Sequence, residues 1–204
     1  MSHAGYNLEY CRNCSRAALD STPLQEKLIV ALDLLKLEDQ LVNKFNSLLY
    51  HYRPKICISG CPNGCSQPKI KDFGISAYVT PKITEENCVT CEACIWACQE
   101  DAITINRGDI NGVTVDPDLC LSCGDCISAC PTGYLASGER GWQLLLGGRV
   151  GRHPRFAEVV GQAGSDEQVV EWITTILTDY LANSGDEERL THYLEKNYLS
   201  TSTN

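Results

Sequence analysis

Thirteen cysteines stand in this chain of 204 residues, and eight of them fall into two copies of one spacing. The first copy is Cys88-x2-Cys91-x2-Cys94-x3-Cys98, and the second is Cys120-x2-Cys123-x2-Cys126-x3-Cys130, followed by Pro131. Soft thiolates at two-residue gaps let three sulfurs from one tight loop reach three irons of a [4Fe–4S] cubane, while a fourth arrives from elsewhere. The chemistry implied is electron transfer. A zinc ribbon needs two cysteine pairs, not two quartets. A disulfide framework is a feature of secreted chains, and residues 1–10 are polar, without the apolar stretch of a signal peptide. Free thiols predict a reducing compartment, the cytoplasm, in an anaerobic or oxygen-avoiding cell.

The double quartet resembles the two-cluster bacterial ferredoxins over residues 85–135. In that arrangement the last cysteine of each run crosses to the other cluster. Cys88, Cys91, Cys94 and Cys130 are then expected to hold one [4Fe–4S] cluster, and Cys120, Cys123, Cys126 and Cys98 the other. Pro131 turns the chain away after the last ligand.

The elements that must position these groups show in the hydrophobic pattern. An apolar content of 43% is enough for a core, and no run approaches the roughly 18 apolar residues of a membrane span, so membrane association is expected only through partners. Thr22-Pro23-Leu24-Gln25 reads as a helix start, with Thr22 as the cap, followed by the stripe Leu24, Leu28, Ala31, Leu32, Leu35. A second helical stretch carries Leu41, Phe45, Leu48 and Leu49 to about Tyr50, where Arg53-Pro54 breaks it. Ile56-Cys57-Ile58-Ser59 reads as a strand, and Phe73, Ile75, Ala77 and Val79 alternate as a second. In the cysteine-rich repeat, residues 102–106 and 113–115 form an expected hairpin across a turn at 109–112. Residues 141–148 return to the first sheet. Ser165-x-x-Gln168 is a capping box for a helix with Val169, Trp172, Ile173, Ile176 and Tyr180 inward. A second box, Ser184-x-x-Glu187, predicts the start of a terminal helix through Leu190, Tyr193 and Leu194, and residues 200–204 are expected to fray.

The net charge of −9 is unevenly placed. Between Glu85 and Cys130 stand nine acidic side chains and a single basic one, Arg107. Basic residues gather at Arg53, Lys55, Lys69, Lys71 and Lys82, and again at Arg140, Arg149, Arg152 and Arg155. This balance argues against nucleic acid, and it suggests an acidic docking face for a redox partner with cations turned to an anion. His153 sits in the second basic group, and an exposed turn is the expected place for it; His51 carries less chemistry still.

Five cysteines remain: Cys11, Cys14, Cys57, Cys61 and Cys65. Gly60-Cys61-Pro62-Asn63-Gly64-Cys65 resembles the Cys-x3-Cys signature of sirohaem-dependent sulfite and nitrite reductases. Glu9-Tyr10-Cys11-Arg12 with Leu19-Asp20-Ser21-Thr22-Pro23-Leu24 resembles the first half of that family's site. Asp72-Phe73-Gly74-Ile75 and residues 147–155 (Gly-Gly-Arg-Val-Gly-Arg-His-Pro-Arg) resemble its later strand and glycine-rich turn. The resemblance implies a third [4Fe–4S] cluster and places Cys65 as the thiolate that bridges to sirohaem iron. It implies that Lys69, Lys71, Arg149, Arg152 and Arg155 face the anionic groups of sirohaem or of a small oxyanion substrate. Gly5 stands where the family has its first cysteine, so Cys14 is expected to join Cys11, Cys61 and Cys65. Cys57, between Ile56 and Ile58, reads as a small buried residue that would replace a missing ligand if one were needed.

The expected fold class is α+β: a small sulfite/nitrite reductase-like sheet with packed helices, residues 1–80 and 136–204, and an inserted two-cluster ferredoxin at 81–135. The expected function is an iron–sulfur subunit passing electrons through the ferredoxin clusters to the third site, for reduction of an oxyanion such as sulfite. Only ten residues precede Cys11, where the family carries a long domain, so another reductase subunit or redox partner is expected to complete the pocket. The alternative is a multi-cluster electron carrier without sirohaem.

Overall fold

Alternation sets the first layer. Tyr6, Leu8, Ile56, Ile58, Phe73, Ile75, Ala77, Trp142, Leu144 and Leu146 are all buried in one core, and successive strand residues between them point the other way. In the computed structural model, which describes residues 2–3, 5–12, 14–106 and 112–199, they lie on four of the six strands of one sheet. The six strands are β1 (Ser2–His3), β2 (Tyr6–Tyr10), β3 (Lys55–Ser59), β4 (Phe73–Ile83), β7 (Leu135–Leu146) and β8 (Glu158–Ala163), in the order β1-β2-β3-β4-β7-β8. β2, β3 and β4 run parallel, and the pairs β1·β2, β4·β7 and β7·β8 are antiparallel.

Four helices cover one face: α1 (Thr22–Leu34), α2 (Leu37–Phe45), α5 (Asp166–Asn183) and α6 (Leu190–Asn197). Leu24, Leu28 and Leu32 of α1 are buried, as are Val169, Ile173, Ile176, Leu177 and Tyr180 of α5, while Trp172 meets Phe73 edge-on at 5.4 Å. The capping box at Ser165 forms: its hydroxyl accepts from the Gln168 amide, and the Gln168 side chain accepts from the Ser165 amide. The α+β class is as expected.

The helix boundaries depart from the sequence reading in three places. The cap of α1 is Ser21 rather than Thr22, with Gln25 donating to the Ser21 hydroxyl at 2.7 Å. α2 stops at Phe45 instead of Tyr50, because Asn46 takes the left-handed conformation (φ 54°) that a short amide side chain tolerates. The box expected at Ser184 does not cap a helix. Ser184 ends α5, its hydroxyl is buried without a partner among the described residues, and α6 starts at Leu190. The intervening turn is closed instead by Glu188, whose carboxylate accepts from the Gly185 amide and whose carbonyl accepts from the Tyr180 hydroxyl.

Asp72 ties the layers together. Fully buried, it accepts from the Lys55 amide at 2.8 Å and the Thr191 hydroxyl at 3.2 Å, with Lys55 Nζ 3.9 Å away. Burial pushes its carboxyl above the ordinary value of 3.8 in spite of Lys55. A carboxyl raised on folding holds its proton more tightly in the folded chain. Its stabilising contribution is full below the unfolded pKa and is lost as pH rises through the folded one. Asp72→Asn keeps an acceptor for Lys55 and can donate to Thr191. It is expected to match the wild type at pH 7 within about 1 kcal/mol and to lose that pH dependence. Asp72→Ala strands the Lys55 amide and is expected to lose about 1–3 kcal/mol. Urea unfolding at pH 4 and pH 7 checks both.

Between β4 and β7 the chain forms a second, smaller layer: α3 (Ala93–Ala97), the hairpin β5 (Ile103–Asn106) and β6 (Gly112–Val115), and α4 (Asp125–Ala129). The two halves repeat each other. Left-handed backbone occurs at Thr90 and Ser122, and again at Glu92 and Gly124, directly before α3 and α4. The hairpin pairs as expected; Arg107 and turn residues 109–111 lie outside the described residues, as do residues 200–204. This layer rests on β4, where the Val79 amide donates to the Ser122 carbonyl at 2.8 Å. Gly124 (φ 84°) lies so close that a Cβ there would meet Val79 Cγ1 at 2.6 Å. Among the described residues no helix is long and apolar enough to cross a membrane.

Candidate iron–sulfur centres

The ends of two parallel strands bring four of the remaining cysteines together. Cys11 follows β2 and Cys61 follows β3, whose pairing in register carries both chains out of the sheet at the same edge. The Cys11 amide donates to Ile58 O, and the Gly60 amide returns a hydrogen bond to Cys11 Sγ at 3.1 Å. Gly60 O accepts from the amides of Ala18 and Leu19, drawing the loop that carries Cys14 against the Cys61 turn. The hydroxyls of Ser59 and Ser76 both donate to the Cys61 carbonyl, at 2.9 and 3.1 Å, and the Asn63 carboxamide donates to Cys65 Sγ at 3.0 Å.

Electrostatics groups eleven of the thiols in the same way. Burial raises the Cys61 thiol, and the neighbouring thiolate charges of Cys14, Cys11 and Cys65 raise it further. Cys94 is raised by burial and then by Cys130 and Cys88. Cys126 is pushed up to about 12 by burial together with Cys120, Cys123 and Cys98. Like charges crowded in this way keep their protons until a cation arrives. Cavities match the groups. Cys88, Cys91, Cys94 and Cys130 line one, beside Ile105, Val113 and Leu135. Cys98, Cys120, Cys123 and Cys126 line another, which Cys14, Cys61 and Cys65 line as well. Among the described residues no three ligand side chains close around a single ion. A cubane spreads its thiolates over four irons, so the donor chemistry and spacing fit [4Fe–4S] groups rather than a mononuclear metal.

Cys57 stands apart on the sheet. It is buried, donates to Ser66 O at 3.0 Å, and is pushed up to about 11 chiefly by burial. It lines neither cysteine cavity.

The five expected cations are not gathered at one place. The helix-free face of the sheet, with Ser76, Tyr78, Thr80, Gln143, Leu145 and Gln162, floors a cavity of about 570 Å³ walled by residues 62–64, 67–70 and 120–122 and by Phe156. Lys69 is its one cation among the described residues, and Glu139 its one carboxylate. Lys71 is held by Glu9 at 2.6 Å. Arg149 and Arg155 both bind Glu195, at 2.8 and 3.1 Å, and their backbones pair with each other to close the 149–155 loop. Arg152 and His153 lie exposed at its tip, where the His153 carbonyl accepts from Arg149 Nε. His51 is exposed and packs edge-on against Tyr52 at 4.3 Å. Asn63, Ser59 and Ser76 were not singled out by spacing; the one signal for Asn63 is its place inside the Cys61–Cys65 turn.

Residues 7–197 match the family described as "Nitrite and sulphite reductase 4Fe-4S domain". A coenzyme F420-dependent sulfite reductase of Methanocaldococcus jannaschii is 32% identical over 186 residues, covering 90% of this chain and 27% of that protein. One of the subunits of the anaerobic sulfite reductase of Salmonella typhimurium is 29% identical, covering 76% of this chain and 43% of that one. The beta subunit of the dissimilatory-type sulfite reductase of Archaeoglobus fulgidus is 25% identical, with 90% and 51% covered. The chain thus spans about half or less of these relatives. The crystal structure of dissimilatory sulfite reductase I shares the fold, with a TM-score of 0.56 at 20% identity over 94% of this chain and 49% of that one. The parallel strand ends that converge Cys11, Cys61 and Cys65, and the match across nearly all described residues, place this chain in the nitrite and sulphite reductase 4Fe-4S domain family.

Proposed function

We propose that this chain is the electron-delivering iron–sulfur component of a sulfite reductase-type oxidoreductase, with an inserted two-cluster ferredoxin at residues 81–135 and a third cluster at Cys11, Cys14, Cys61 and Cys65. Bound at the three cysteine groups, [4Fe–4S] clusters supply one-electron carriers. The observation that carries the reading is the shared cavity: the Cys98 group lines it together with Cys14, Cys61 and Cys65, while the Cys88 group lines a separate cavity with none of them. That placement favours an order in which the Cys88 group is the entry, the Cys98 group the middle and the strand-end group the exit.

The crossing of the fourth ligands has a direct test. Cys98→Ala and Cys120→Ala should each remove about four irons, and the double variant should remove no more than either single one. If each run held its own cluster, the double variant would lose about eight. Anaerobic iron analysis distinguishes the two.

Sirohaem carries carboxylates that need cationic partners. With Lys69 alone in the large cavity, and with Arg149, Arg155 and Lys71 engaged by carboxylates, the described residues do not by themselves fit it. Oxyanion reduction on this reading takes place in a pocket completed by a partner reductase subunit or other protein segment. The same lone lysine favours the second reading, a multi-cluster electron carrier without sirohaem. Anaerobic dithionite titration of the chain should consume about three electrons, one per cluster. Chain drawn from native extract with a companion protein and sulfite-dependent oxidation of reduced viologen supports the first reading. Electron uptake with no such oxidation in any fraction supports the second. A chain that takes up no electrons overturns both.

A further inference from the structure

We infer that Arg16 is a positioning charge between the middle and exit iron–sulfur sites, one that stabilises the reduced state of both; this rests on the three-site reading above. Arg16 lies on the loop after Cys14, and it is the one cation lining the cavity shared by the Cys98 group and the strand-end group among the described residues. Its side chain is held by Gln99, which lines the same cavity. With the Gln99 carboxamide oxygen turned towards it, that oxygen accepts from both terminal nitrogens of Arg16, at 3.1 and 3.2 Å. Gln99 directly follows Cys98, a cysteine of the middle group. The guanidinium therefore links a loop that carries an exit-site cysteine to the residue after a middle-site cysteine. Its acceptor is neutral, and no ion pair involves it among the described residues, so its charge stays available to the cavity.

The physics follows from charge. Four thiolates around a cubane leave a net negative site, and adding an electron makes it more negative. Two such sites across one cavity repel, and the carboxylates of Glu100 and Asp125, which also line it, add to that repulsion. A fixed guanidinium between them lowers the energy of an electron on either side. Transfer of one electron oxidises the middle site and reduces the exit site, with no proton required, and moves the negative charge from one side of Arg16 to the other. The separate Cys88 cavity has Glu92 and no cation in its lining. Because Arg16 is exposed, solvent screens the effect and holds it to a modest size.

The test is an EPR-monitored redox titration of the anaerobic full chain at low ionic strength, for the wild type, Arg16→Gln and Arg16→Lys, with iron counted in each. In Arg16→Gln two of the three cluster midpoints should move to more negative potential. At the wild-type midpoints the reduced-to-oxidised ratio of those two should fall about threefold. The cluster that disappears in a Cys91→Ala variant should be the one that does not move. Arg16→Lys should restore both midpoints, and added salt should shrink the shift. Three midpoints unchanged in Arg16→Gln, or all three moved equally, would overturn the inference while leaving the three-site reading intact. About eight irons in the wild type would instead remove the exit site, and the inference with it.

Discussion

Cys65→Ala should lose about four of twelve irons and one of three cluster EPR signals, while the chain stays folded. The thiol is exposed, at the end of the Cys61–Cys65 turn, and among the described residues it accepts a hydrogen bond only from the exposed Asn63 side chain. Truncating it therefore costs the apolar core almost nothing. The sheet edges that carry Cys11 and Cys61 are held independently, by the β2·β3 register and by the hydroxyls of Ser59 and Ser76 on the Cys61 carbonyl. The remaining three thiols should still converge but leave one iron without a thiolate. Thermal unfolding of the aerobically prepared, iron-free variant should match that of iron-free wild type, and this comparison separates a lost ligand from a lost fold. Retention of all three signals would mean that Cys65 is not a ligand.

Stripping iron with chelator and oxidant should have a larger structural effect, confined to one part of the chain. Among the described residues the layer between β4 and β7 buries only six apolar side chains, Cys94, Ala102, Ile103, Val113, Cys126 and, where β7 begins, Leu135, and two of these belong to the cysteine quartets. So small a core cannot offset the conformational entropy of ordering about fifty residues, and ligand bonds to iron must supply the difference. The sheet and its four helices share a core of 26 buried residues that includes no cysteine. In the iron-free chain, amides of β5, β6, α3 and α4 should exchange with solvent about a hundredfold or more faster, which is a loss of roughly 3 kcal/mol of local stability. Those of β3, β4 and α5 should remain protected. Hydrogen exchange read by mass spectrometry checks this, and equal protection in both parts of the iron-free chain would show that the smaller layer folds without metal.

Ligand spacing and periodicity were readable where one local rule decides the outcome. The alternation of Phe73, Ile75 and Ala77 and the Ser165 capping box each depend on residues a few positions apart, and each stands as read. Two strands towards the ends of the sheet were not legible. Tyr6–Tyr10 gains its strand from parallel pairing with β3, and Glu158–Ala163 exposes Val159 and Val160 at the sheet's edge, so neither shows a clean inward face. Ser184 carries a capping-box pattern but falls where α5 ends, and the Gly185–Glu188 hydrogen bond takes the turn that a helix start would have used.

At the site, type and spacing singled out the cysteine quartets and the family resemblance the remaining cysteines, whereas the setting of the cations was not legible. Arg149 and Arg155 cluster in sequence after Gly147-Gly148, but Glu195 on α6, some forty residues away in the chain, draws both guanidinium groups to itself. Lys71 is likewise claimed by Glu9 across two strands. Long-range pairing of this kind leaves no local trace. The same is true of the wall shared by the Cys98 group and the strand-end cysteines, which exists because the smaller layer rests on β4 through Val79 and Ser122.

On the proposed reading, three groups of four thiols each hold a cubane, with the Cys98 group in the middle. Iron and acid-labile sulfide measured on anaerobically purified chain test it most directly. About twelve irons and as many sulfides per chain, with the broad absorption of clusters, is the expected result. About eight of each would contradict it, leaving Cys11, Cys14, Cys61 and Cys65 as thiols without a cluster.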